Sequence, residues 1–150
     1  MKNLYDAATA NEVKERIGRL QPDLERQWGS MNAAQAVAHC ARSMEWAVGD
    51  RTPTRAFIAG IVGRMIKSKV LGDDAPFRRN SPTSKDLIVS GQPKFDEERT
   101  RLCALIDRFT TAGPPGCTCK PHSFFGPMKP EEWATLMYKH LDHHLRQFGV

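Results

Sequence analysis

At 150 residues, 40% of them hydrophobic, the chain can bury about two-thirds of its unfolded surface in one domain spanning 1–150, which excludes any need for a second domain or for covalent staples. Its 22 Lys and Arg against 17 Asp and Glu give a net charge of +5, but the basic residues are spread from Lys2 to Arg146 and speak for solubility rather than for a polyanion-binding face. The opening stretch MKNLYDAATANEVKERIGRL lacks a signal-peptide run and no later segment is long enough to span a bilayer, so the expectation is a cytoplasmic protein with no membrane partner, whose Cys40, Cys103, Cys117 and Cys119 are thiols.

The first predicted helix is capped by Asp6 or Asn11 and runs to about Leu20, with Val13, Ile17 and Leu20 on its apolar side and Gln21-Pro22 as its stop. Residues 21–31 form a connection carrying Trp28 and Gly29. Asn32 followed three residues on by Gln35 has the spacing of a capping box and opens a second helix to about Val48, before Gly49 and Asp50. The core stripe of that helix is Ala34, Val37, Ala38, Ala41, Met44 and Val48, small enough for close helix approach. His39 lies beside the stripe, on a side shared with Gln35, Ser43 and Trp46. It is either an edge histidine with its tip in water or a ligand lining a pocket.

Thr52-Pro53-Thr54 starts a third predicted helix to about Val70, whose apolar residues are Phe57, Ile58, Ile61, Val62, Met65 and Ile66. Gly60 and Gly63 either admit a neighbouring backbone or are tolerated by packing. Arg55, Arg64, Lys67 and Lys69 read as a solvated face, with a lipid or nucleic-acid surface as the lesser alternative. From Leu71 to Pro93 prolines and turn formers predict a long connection, either a lid or a bundle crossover, in which Leu87-Ile88-Val89 is the ordered apolar patch. A fourth main helix is predicted from about Asp96 to Thr110, with Phe95, Leu102, Leu105, Ile106 and Phe109 as core and Arg99, Arg101 and Arg108 outside.

After a break at 111–116, Cys117, Cys119 and His122 bring ligand types together, but a single such cluster lacks the second ligand pair of a closed zinc site. Ser123 to Pro127 is expected to close over one end of the bundle. Pro130 then stands near the first turn of the last helix, where Glu131 and Glu132 suit the positive end of the helix dipole.

That last helix, Trp133 to Phe148, has Trp133, Leu136, Met137, Leu141, Leu145 and Phe148 on one face at helical spacing. His140 and His144 interrupt the stripe one turn apart, an arrangement in which two imidazoles can reach one divalent ion. The alternative is a pair of core histidines hydrogen-bonded to buried partners. His143 sits off the stripe, near Lys139 and Arg146. A third histidine from another helix, His39, would make a three-ligand site with positions open to water or substrate.

An all-α bundle with these histidines resembles the DinB-like superfamily of four-helix-bundle proteins. The segment Met31-Asn32-Ala33-Ala34-Gln35-Ala36-Val37-Ala38-His39-Cys40 is similar to that superfamily's first motif, and His140-Leu141-Asp142-His143-His144-Leu145-Arg146-Gln147 to its second, in which a Gln follows the second ligand by three residues. The resemblance covers nearly the whole chain. It implies an up-down-down-up bundle with an additional N-terminal or connecting helix, and a divalent metal, zinc or nickel, on His39, His140 and His144. Trp28-Gly29-Ser30-Met31, His122 to Pro127 and Glu132-Trp133 look more specifically like a small subfamily of uncharacterised bacterial proteins within it. Arg146 departs from the pattern, standing where the superfamily usually has Gly.

Characterised relatives in the superfamily are metal-dependent transferases and isomerases that use a low-molecular-weight thiol. The resemblance therefore implies a small-molecule substrate, a thiol among the candidates, and leaves room for a homodimer. The reading is a metal-dependent transferase or hydrolase-like enzyme, with a non-catalytic metal- or ligand-binding bundle as the alternative. No clear general base is present: Glu45 points elsewhere on its helix and Asp142 is expected on the outer face of its own. A nucleic-acid binder would rest on the net charge alone, without an aromatic-basic motif or recognition helix.

Overall fold

The computed structural model describes residues 1–54 and 57–150; at 57–61 and 64 it describes the backbone alone. Five α-helices are present: α1 Ala7–Arg19, α2 Ala33–Ala47, α3 Phe57–Leu71, α4 Phe95–Ala112 and α5 Pro130–Gln147. Short 3-10 turns occupy Lys85–Leu87 and Pro114–Gly116. Among the described residues there is no strand, only an isolated bridge between His122 and Gly126. No described helix is long and apolar enough to cross a membrane.

Helices α1, α2 and α5 begin where local chemistry satisfies orphan amides. The Asp6 carboxylate accepts from Thr9 N at 2.9 Å to start α1. Asn32 and Gln35 exchange side-chain and backbone bonds at 2.8 and 3.1 Å, completing the capping box of α2. Pro130 stands in the first turn of α5, and Glu132 accepts from Lys129 N at 2.7 Å. The apolar faces meet in one core: Val13 and Ile17 of α1, Val37 and Met44 of α2, Leu102, Ile106 and Phe109 of α4, and Trp133, Met137 and Leu141 of α5 are all buried. Helix α2 lies against α4 and α5, and α1 lies against the same two helices. Ala33, Ala36, Ala38, Ala41 and Ala47 keep α2 slim enough to be buried on several sides, so Trp46 and Cys40 are covered as well.

Helix α3 departs from expectation. Val62 and Met65 are 49% and 77% exposed and Ile66 is also exposed, so this part of the apolar sequence does not face the core. Thr52-Pro53-Thr54 precedes the helix and is not helical, while Arg55 and the side chains of Phe57, Ile58, Ile61 and Arg64 lie outside the described residues. The physical reason is visible one residue over. At Gly63 the helix abuts the carbonyl of Phe124 so closely that a Cβ has no room. Lys67, one turn on, donates to Pro127 O at 3.0 Å and pairs with Glu132 at 2.9 Å. At Gly63 and Lys67 the side of the helix that meets the rest of the fold is the one able to approach closely. Gly63 is thus the residue that admits a backbone, and Lys67 is not part of a freely solvated face.

The connection from 72 to 94 crosses the bundle as a strap. Leu87 and Val89 are buried and Ile88 between them is exposed, as an extended segment requires. Three side chains of α2, spaced so as to share one face, dock it. Gln35 donates to Gly91 O at 3.1 Å, Arg42 to Ile88 O at 2.7 Å, and His39 lies 2.9 Å from Leu87 O.

Candidate metal centre

Helix α2 supplies His39 and helix α5 supplies His140 and His144. Taking one ring nitrogen from each, the three atoms all lie within 4.8 Å of one another. The closest pair is His39 Nε2 and His140 Nε2 at 2.9 Å. Ring centroids of the three are 4.7 to 4.9 Å apart. His39 is 2% exposed, not an edge residue with its tip in water, whereas His140 and His144 keep part of their surface accessible.

Every one of these rings has its other nitrogen occupied. His39 Nδ1 is 2.9 Å from Leu87 O in the strap. His140 Nδ1 is 3.0 Å from Ser43 Oγ, one turn along α2 from His39. His144 Nδ1 is 2.9 Å from Gln147 Oε1, and Gln147 Nε2 in turn donates to Trp28 O at 2.7 Å. Gly29 makes the last contact feasible: its φ of +78° suits glycine, and a Cβ there would run into the Gln147 amide. Oxygen acceptors behind metal-facing imidazoles are the usual device for holding ligand rings in place.

The cluster is electrically neutral. Burial pushes the pKa of His39 down, and burial together with the neighbouring His144 and His39 pushes His140 well below the ordinary imidazole value. Burial brings His144 down to about 3, helped by His39. Among the described residues no carboxylate joins the group. Glu45 is engaged by Arg101 and by Arg51, the latter at 3.1 Å. Asp142 is a correction: it is not on an outer face but 6% exposed, held by Arg16 of α1 at 2.8 Å and by Arg146 at 2.7 Å. α1 packs over that side of α5, so two faces of the helix are covered. Arg146, where the resembled motif has Gly, is the second of these partners.

The other sequence candidates stand apart. The ring of His143 packs edge-on against that of His144 at 5.1 Å and lies 5.8 Å from that of Trp28 and 6.1 Å from that of Phe77, but it is not among the three whose nitrogens converge. His122 turns its Nδ1 to the amides of Phe124 and Phe125 at 3.1 and 3.2 Å and packs its ring on Trp46 and Trp133. Cys117 and Cys119 are free thiols. Among the described residues, His39, His140 and His144 are the group able to hold a metal ion. The part Leu87 and Trp28 play at the histidines is not marked in the sequence, because both act through backbone carbonyls.

Fold and site together define an all-helical protein with a largely buried cluster of three neutral histidines. The chain belongs to the family described as Protein of unknown function (DUF1569), whose match covers residues 3–149. No curated protein and no solved structure matches the chain.

Proposed function

We propose that this is a metal-binding protein of DinB-like type in which His39, His140 and His144 hold a divalent ion, zinc or nickel, and that it acts as a metal-dependent transferase or hydrolase-like enzyme on a small molecule, a low-molecular-weight thiol being the first candidate. The observation that carries the reading is the convergence of three ring nitrogens within 4.8 Å from two helices. Imidazole nitrogen suits zinc and nickel better than magnesium or calcium. Three neutral ligands leave the full charge of the ion uncompensated, and an ion bound there supplies Lewis-acid polarisation of a thiol or water. The accessible surface of His140 and His144 is the side from which a substrate would reach the site.

One observation favours the second reading, a bundle that holds metal or ligand without chemistry. Glu45 and Asp142, the two carboxylates weighed as a base, are tied up by arginines and neither is free for that role. Elemental analysis of protein purified without a histidine tag tests the shared premise. A thiol-transfer screen on metal-loaded protein separates the two: turnover lost in His140→Ala supports the enzyme, and stoichiometric metal without turnover of any thiol supports the binding protein.

A further inference from the structure

The three histidines differ in how their protons are fixed. A backbone carbonyl can only accept, so His39 must carry its proton on Nδ1, facing Leu87 O at 2.9 Å. Trp28 O likewise only accepts, which turns the Gln147 amide so that its nitrogen faces Trp28 and its oxygen faces His144. His144 is therefore also protonated on Nδ1. Both rings present a bare Nε2 in every state of the site. His140 has no such anchor. Its Nδ1 faces Ser43 Oγ at 3.0 Å, and Ser43 Oγ lies 2.8 Å from a second acceptor, Cys40 O. A hydroxyl donates one proton and accepts others, so it can serve His140 in either sense.

We propose that Ser43 is a positioning residue whose hydroxyl lets His140 change tautomer between the metal-free and the metal-loaded protein. The inference rests on the three-histidine metal reading. Without metal, the bare Nε2 of His39 sits 2.9 Å from His140 Nε2, and two lone pairs at that distance repel. His140 then carries its proton on Nε2 and donates it to His39, while the Ser43 hydroxyl donates to His140 Nδ1. With metal, His140 must present a bare Nε2. Its proton then sits on Nδ1 and is donated to Ser43 Oγ, and the hydroxyl turns to Cys40 O. One proton leaves Nε2 for solvent and one is taken up at Nδ1, so the ring stays neutral and the exchange releases no net proton. Ser43 is 2% exposed, which leaves the hydroxyl, not bulk water, to meet both needs.

Nitrogen-15 NMR of the histidine rings, with and without one equivalent of zinc, tests this directly. The expected result is Nδ1–H for His39 and His144 in both states, and Nε2–H changing to Nδ1–H for His140. Zinc affinity by competition with a chromophoric chelator should fall ~10–100-fold in Ser43→Ala. Ser43→Thr and Ser43→Val share one shape, and only Thr, which keeps the hydroxyl, should bind within a few-fold of its zinc-saturated parent; this pair separates the hydroxyl from packing. Nδ1–H on His140 in the metal-free protein, or equal zinc affinity in the Thr and Val variants, would overturn the proposal while leaving the metal site intact. If the wild-type protein takes up no zinc, the metal reading fails, and the metal-free spectrum shows whether the His140 proton is where Ser43 requires it.

Discussion

His39 and His140 stand 101 positions apart in the chain, yet their Nε2 atoms are 2.9 Å from one another. That contact joins α2 to α5 at one point, and His144, one turn beyond His140, closes the triangle. If one ion is shared, each ligand matters out of proportion to its number. His39→Ala, His140→Ala and His144→Ala should each lower metal affinity by orders of magnitude, measured by chelator competition and elemental analysis. His143→Ala is the control, since its ring touches that of His144 but its nitrogens do not join the converging three, and it should change metal affinity little. Equal metal retention by His140→Ala and His143→Ala would end the metal reading.

Cys117 and Cys119 lie outside the histidine cluster and are not paired with each other. Replacing both with Ser should leave the metal content per chain unchanged. A loss of stoichiometric metal in that double variant would place a ligand in the 117–122 segment instead.

Acid should destabilise the metal-free protein partly through His122. Burial holds its pKa down to about 4, and two backbone amides already donate to its Nδ1. An unfolded histidine titrates near ~6.5, so below that pH the unfolded chain binds a proton that the folded one refuses. Stability from this residue is therefore intact above ~6.5, falls as pH drops toward 4, and changes no further below; the slope is at most ~1.4 kcal/mol per pH unit. His122→Gln should make the denaturation midpoint less pH-dependent across that window. An unchanged slope would show that the fold does not hold the His122 pKa down.

At Gly63 a methyl group would meet the carbonyl of Phe124, within the turn that His122 and Gly126 clamp by reciprocal backbone bonds of 2.8 and 3.1 Å. Since that backbone has little freedom to move aside, Gly63→Ala should cost about 2 kcal/mol and lower Tm by about 5 °C, despite the better helix propensity of Ala. A rise in Tm would mean that α3 shifts without penalty.

Asp142 holds Arg16, whose side chain is 11% exposed. Asp142→Ala leaves that guanidinium with only the carbonyl of Val150, at 3.0 Å, and should lower stability by about 3 kcal/mol in denaturant unfolding. Metal affinity should stay near wild type, because neither residue touches the histidines.

The legible parts of this protein are those in which one face of a helix answers one core. The stripes of α1, α4 and α5 are of that kind, and the i, i+4 histidine pair could be placed on a buried face from spacing alone. Helix α3 was legible only in part: Gly63 stood out as a residue that could admit a backbone, whereas Lys67, read as part of a solvated face, anchors to Pro127 and Glu132 across the fold. Asp142 looked external because its partner, Arg16, lies 126 positions earlier and no periodicity connects them. The site was legible as far as side chains carry it: His39, His140, His144 and the Gln147 that follows. The carbonyls of Leu87 and Trp28 that fix two of the rings belong to irregular segments, whose path depends on the finished fold.

If the cluster holds an ion, the separation between His39 and the α5 histidines also has a kinetic meaning. Bringing them together requires closing most of the chain into a loop, an entropic cost met only when α5 docks against α2. Until then an ion finds one histidine on α2 and two on α5, so it can add little to the folding transition state. Bound metal should therefore leave the folding rate nearly unchanged and slow unfolding instead, acting as a late-closing clasp that lengthens the lifetime of the native protein. Stopped-flow refolding and unfolding with and without zinc would show the effect on the unfolding arm alone.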